Sequence, residues 1–245
     1  IRDSIATMNG RPSVRVIVSC RKYDLEYDAA LNRLKDKSET VELGELSDTQ
    51  VNDVLDRLDA GLKSRLSPRT ATIIRTAQYL DTFCFVYSRN RTRVNYDNPI
   101  ELYDALWQLY IDEAPEKISR EDIEYVLFSL AKQVLASGTL SPSWMPVSRC
   151  GDAGKYLCSS GAIRMNGGNM SFFHQTFYDY TLARCYVTEN KSYIADLADR
   201  FQGIEIRSSV KSVLEYERGH SDRHYFNDLK LSLIHISEPT RLRCI

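Results

Sequence analysis

The stretch from Ser160 to Val187 constrains this chain most. Ser160-Gly-Ala-Ile-Arg-Met-Asn-Gly-Gly-Asn-Met-Ser171 sets Asn-Gly-Gly between two short runs. That is a strong hairpin signal, because Asn and Gly reach the positive φ a tight turn needs. The hairpin leads straight into Ser171-Phe-Phe-His-Gln-Thr-Phe-Tyr-Asp-Tyr-Thr-Leu-Ala-Arg-Cys-Tyr-Val187. Read as a helix, this segment repeats Phe173, Phe177 and Tyr180 at three- or four-residue spacing, and Phe172, Leu182 and Val187 widen the stripe. One polar residue, His174, falls in the expected first turn, one helical step from Tyr178.

Upstream, Ser13-Val-Arg-Val-Ile-Val-Ser-Cys-Arg21 is a β-branched run of the kind buried in parallel sheets. A helical piece over Tyr27–Lys35 and a second strand, Glu39-Thr-Val-Glu-Leu-Gly-Glu45, follow. Strand, crossover and strand make the unit of an α/β sheet, but an open sheet needs more neighbours. Residues 1–46 therefore read as the last third of an α/β domain. Ser47 and Gln50 predict a capping box ahead of the apolar face Val51, Val54, Leu55, Leu58 and Leu62. Ser67-Pro68 opens a helix through Ile73, Ile74, Leu80, Phe83 and Phe85, with Arg89–Arg93 as an exposed basic linker. Ile100–Asp112 and a helix capped by Ser119, bearing Ile123, Val126, Leu127, Leu130 and Val134, complete a four-helix domain over 47–139. Trp107 and Trp144 read as core or interface aromatics. Leu140-Ser-Pro-Ser-Trp-Met-Pro146 is linker-like, and the hairpin and aromatic helix after it have the look of a winged-helix unit over 140–188. Tyr193–Phe201, Ile206–Tyr216 and Tyr225–Leu233 read as short helices.

Composition narrows the class. With 245 residues, 43% hydrophobic and 27% charged, the chain is globular. A net charge of −1 gives no field that would draw it to nucleic acid or an anionic membrane. No apolar run approaches the ~20 residues of a membrane span, and the start is no signal peptide. Cys20, Cys84, Cys150, Cys158, Cys185 and Cys244 are scattered, mostly in apolar runs, without a zinc-ligand pattern. They are expected to be buried free thiols in a reducing cytoplasm. Ile1 in place of Met suggests a truncated start. Ser232-Leu-Ile-His-Ile-Ser-Glu-Pro-Thr-Arg241 resembles a translated sequencing adapter, so 232–245 is expected to be a non-native tail.

Phe173-His-Gln-Thr-Phe-Tyr-Asp-Tyr180 is similar to the winged-helix signature of NACHT-like STAND NTPases, signal-transducing P-loop ATPases related to AAA+ proteins. In that family the histidine contacts a phosphate of ADP and locks the resting, closed state, and the resemblance implies this role for His174. Ser19-Cys-Arg21 resembles the family's sensor 1, a strand ending in Ser/Thr-x-Arg whose arginine faces the terminal phosphate of ATP. It implies that role for Arg21, with Ser19 beside it. The physics suits it: ligands collect at the carboxyl ends of open α/β strands, and a guanidinium forks onto phosphate oxygens. Where related ATPases usually place a proline against the adenine, this chain has Ala77. The elements also follow in family order.

The resemblance thus implies a mainly α chain with a small α/β remnant. Its parts would be the last strands of a P-loop NTPase sheet, a helical lid bundle, a winged-helix domain and, over 189–231, the start of a superhelical arm near Gln202-Gly203 and Arg207. It also implies a full-length parent that uses ATP/ADP with Mg²⁺, self-associates when activated and signals in the cytoplasm, with defence as its setting.

No G-x-x-x-x-G-K-[ST] loop occurs, and no apolar strand ends in paired acids that could hold Mg²⁺. The chain alone is therefore not expected to hydrolyse or hold nucleotide, and no catalytic or metal-binding residue is assigned. Two other classes remain open. A DNA-binding winged-helix regulator needs several Lys, Arg, Asn or Gln on its recognition helix, whereas 173–187 offers mostly aromatics and one Arg184. A ligand-free helical scaffold fits the amphipathic faces but leaves the order of motifs unexplained.

Overall fold

A computed structural model of the chain describes residues 16–20, 25–26, 29–35, 38–143, 151–198 and 206–237. It divides into two compact units, Ile1–Gly44 and Glu45–Ile245. In the first, helix α1 spans Ala29–Lys35. The two strands expected around it do not form among the described residues: Val16–Cys20 and 38–44 are irregular and mostly exposed. Ile17 and Leu43 are 94% and 93% exposed. A β-branched run makes a strand only when a neighbour takes up its backbone N–H and C=O groups. No such neighbour is described here, so among the described residues this unit shows irregular chain and helix, without the expected strands.

The second unit is helical around one small sheet. Helix α2 (Asp48–Leu58) starts at the expected capping box: Gln50 N–H donates to Ser47 Oγ, and Ser47 N–H to the Gln50 side chain. A 3-10 turn over Leu62–Arg65 follows. The helix expected from Pro68 through Phe85 is two helices, α3 (Pro68–Ile73) and α4 (Ala77–Arg89). Within α3 the buried Thr70 hydroxyl bonds to the backbone of Tyr96, tying the helix to a distant loop. Helix α5 (Pro99–Asp112) is capped by Asn98, and α6 (Arg120–Ser137) carries the predicted Ser119 cap. At α6, Asp122 N–H donates to Ser119 Oγ at 3.1 Å, and Gly138 ends the helix at φ 65°. Ser119→Ala is expected to lower the unfolding free energy by about 1 kcal/mol in urea titrations.

Helix α7 (Gly151–Ser159) leads into β1 (Ile163–Asn166) and β2 (Asn169–Phe172), antiparallel with Arg164 opposite Ser171. Gly167 and Gly168 make the turn at φ 56° and 83°, the two positive values that suit a tight hairpin. Helix α8 (Gln175–Thr188) follows at once, then α9 (Tyr193–Ala198), α10 (Ile206–His220) and α11 (Asp222–Ser237). Helix α11 thus runs past position 232, where the tail was expected to begin.

Helix α8 is the axis of this unit. It packs on α5, α6, α10 and β2. The continuous run from Phe177 to Ala183 is buried, with Asp179 and Thr181 among it. The expected one-sided stripe is therefore corrected to a helix enclosed on all sides. Trp107 is buried in the same core, as expected; Trp144 lies outside the described residues. Cys84, Cys158, Cys185 and Cys20 are free thiols, but Cys20 is exposed rather than buried. Burial pushes the Cys84 and Cys185 thiols up to about 11, which keeps them protonated and unreactive.

Candidate functional site

His174 is the N-cap of α8 rather than a residue of its first turn, with extended backbone at φ −151°. The Thr176 N–H donates to its Nδ1 at 3.2 Å. Because Nδ1 accepts, the neutral ring carries its proton on Nε2, leaving a donor there. The Thr176 hydroxyl lies 2.8 Å from the same nitrogen and is also bonded to the Tyr103 hydroxyl of α5. The imidazole is thus fixed through one side by a chain of bonds into the core. Burial, and secondarily the nearby Arg164 guanidinium, hold its pKa below the usual histidine value. Near neutral pH it is an uncharged donor.

A cleft of about 380 Å³ opens beside this ring. Val134, Leu140, Phe172 and Tyr178 give it an apolar wall, while Ser141, Ser171 and Gln175 add polar groups next to His174. The 141–143 segment is held there by the Met170 N–H, which donates to the Pro142 carbonyl at 3.0 Å, and by a bridge from Ser143 to Asn169. No lysine or arginine lines the cleft among the described residues. Arg164 stands next to it on β1, exposed, cross-strand from the cleft residue Ser171.

The other expected site residues fall elsewhere. Arg21 lies outside the described residues, and Ser19 is exposed in the first unit. Ala77 is exposed as the first residue of α4 and is not on the cleft wall. Two residues on, the Tyr79 ring meets Tyr103 edge to face, with centroids 5.9 Å apart. One aromatic layer therefore separates the start of α4 from the bonds that hold His174.

Thr176 and Tyr103 were missed by sequence reasoning, since their contact spans distant parts of the chain. So was a polar knot on the far part of α8. Asp104 Oδ1 accepts from the Tyr180 hydroxyl at 2.7 Å and from Arg184 at 3.3 Å, and Asp104 Oδ2 lies 3.1 Å from His220 Nε2. The Arg184 guanidinium also sits 4.6 Å over the Trp107 ring. This knot joins α5, α8 and α10, and it occupies the one arginine that α8 offers. A helix enclosed in this way has no free face to lay into a DNA groove.

No family model matches this chain, and no curated protein matches it. Among the described residues no helix is long and apolar enough to cross a membrane.

Proposed function

We infer that this chain carries the nucleotide-readout part of a STAND-type, NACHT-like signalling ATPase. In this reading 1–46 derives from the P-loop domain, 47–139 is the lid, 140–188 the winged helix and 189–231 the start of the arm. The parent binds ATP or ADP with Mg²⁺ through a phosphate loop outside this chain and works in the cytoplasm. His174 senses the diphosphate, Arg21 with Ser19 the terminal phosphate, and Ala77 lies towards the base.

The observation that carries this reading is the state of His174. It is a neutral imidazole, immobilised through Nδ1 at a helix N-terminus, with Nε2–H left as a donor on the wall of a cleft. A helix N-terminus favours an anionic group, and a fixed donor reports whether that group is present. A switch requires contacts made in one state and lost in the other. His174→Ala in the intact parent is expected to raise basal self-association, measured by mass photometry with ADP bound. A correctly folded variant with unchanged self-association would overturn the assignment.

A helical scaffold without ligand is the second reading, and the enclosed α8 and its shared core favour it. The two differ in one simple respect. Nucleotide readout requires ADP to shift the His174 ring resonances of the intact parent saturably, and the scaffold requires no shift.

A further inference from the structure

Among the described residues the His174 cleft has a donor but no charged side chain on its lining, and Arg164 stands beside it. Three observations connect that cation to the cleft. Arg164 is the cross-strand partner of Ser171, so the two side chains share a face of the hairpin, and Ser171 lines the cleft. It is close enough to His174 to oppose protonation of the ring. It is exposed and forms no ion pair or hydrogen bond with any described residue.

We propose that Arg164 and His174 form one anion site at the mouth of this cleft, suited to a di- or triphosphate. Arg164 supplies the positive charge and a forked set of donors. His174 adds one neutral, rigidly held donor through Nε2–H, and Ser171 a hydroxyl between them. The α8 N-terminus contributes its dipole. The division of labour is physical: a second cation beside Arg164 would repel it in the empty state, whereas a neutral imidazole costs nothing until the anion arrives. The anion then favours protonation of the ring, so binding and protonation reinforce each other. This inference rests on the nucleotide reading above, but it assigns a residue that reading does not use.

The test uses the full chain with isotope-labelled histidine and inorganic pyrophosphate as the probe. In the wild type the His174 ring signals are expected to shift saturably, and the ring's pKa is expected to rise at saturation. Arg164→Gln should weaken binding by at least roughly tenfold, and Arg164→Lys by less, because it keeps charge without the fork. Arg164 is exposed, so the hairpin amide signals should be unchanged in both variants. Equal affinity in Arg164→Gln, with the His174 shift retained, would overturn the role of Arg164 and leave the histidine reading standing. No shift at His174 in the wild type would overturn the shared anion site. If pyrophosphate binding depends on Arg164 but ADP does not compete for it in the intact parent, the anion site holds and the nucleotide reading fails.

Discussion

Phe177→Ala is expected to lower the unfolding free energy by about 3–5 kcal/mol, read from urea denaturation followed by far-UV dichroism. Phe177 is fully buried in the first turn of α8. Its ring lies 5.0 Å from Phe173, 5.7 Å from Tyr103, 5.9 Å from Tyr180 and 6.0 Å from Phe172, centroid to centroid. Those rings come from α5, the hairpin and α8 itself. Truncation removes apolar area and leaves a cavity whose walls belong to several elements, so collapse around it is limited. Phe177→Leu keeps much of the volume and should cost clearly less. A loss under about 1 kcal/mol for the alanine variant would show that α8 is not the axis of the core.

Glu217→Gln is expected to remove most of the chain's pH-dependent stability between about pH 4.5 and 8 and to stabilise it at pH 8. Glu217 of α10 is fully buried, and neither of its carboxylate oxygens has a hydrogen-bond donor. A second fully buried carboxyl, Asp228 of α11, stands beside it. Asp228 already accepts from Ser192 Oγ at 2.5 Å, the Ile194 N–H at 3.3 Å and Asn227 at 3.2 Å. Those three donors are spent on Asp228, and none reaches Glu217.

Burial, then the Asp228 charge, push the Glu217 pKa from 4.5 up to about 8. The folded chain therefore holds a proton that the unfolded chain releases above about pH 4.5. Stability is greatest below that value and falls as pH rises towards 8, by at most about 1.4 kcal/mol for each pH unit. Above pH 8 both states are ionised and the curve is flat. Thermal melts of wild type and variant across this range measure the difference. Parallel curves would mean that Glu217 ionises normally in the folded chain.

These two results bear on different parts of the molecule. Phe177 belongs to the stretch where sequence was most informative, and Glu217 to a stretch where it was silent. Hydrophobic spacing marked α8 as a helix, yet a single aromatic stripe suggested one buried face. In the fold Asp179 accepts from Ser209 of α10 at 2.7 Å, and both Asp179 and Thr181 are buried. Glu217 lies within an ordinary-looking polar segment, and its partner stands on the next helix. Nothing local distinguishes a carboxylate that faces water from one that faces another carboxylate.

Caps and turns were the most legible features. Ser47, Ser67 and Ser119 begin helices where the sequence places them, and Asn166-Gly167-Gly168 turns the hairpin. Those signals need only neighbouring residues, because a side-chain hydroxyl meets a backbone N–H three positions on, and glycine alone reaches positive φ cheaply. Strands such as those expected over 13–21 and 39–45 are less legible for the opposite reason. A strand is a relation between two segments, and a β-branched run specifies only one of them.

Local chemistry therefore determined where helices begin and where the hairpin turns, and it drew attention to His174. Tertiary structure alone decided that α8 is enclosed, that Tyr103 and Thr176 lock the histidine's tautomer, and that Arg164 is left unpaired next to the cleft. The reason is range: capping and turn energies act within a few residues, whereas burial, charge pairing and cavity shape depend on segments that the chain brings together only when it folds.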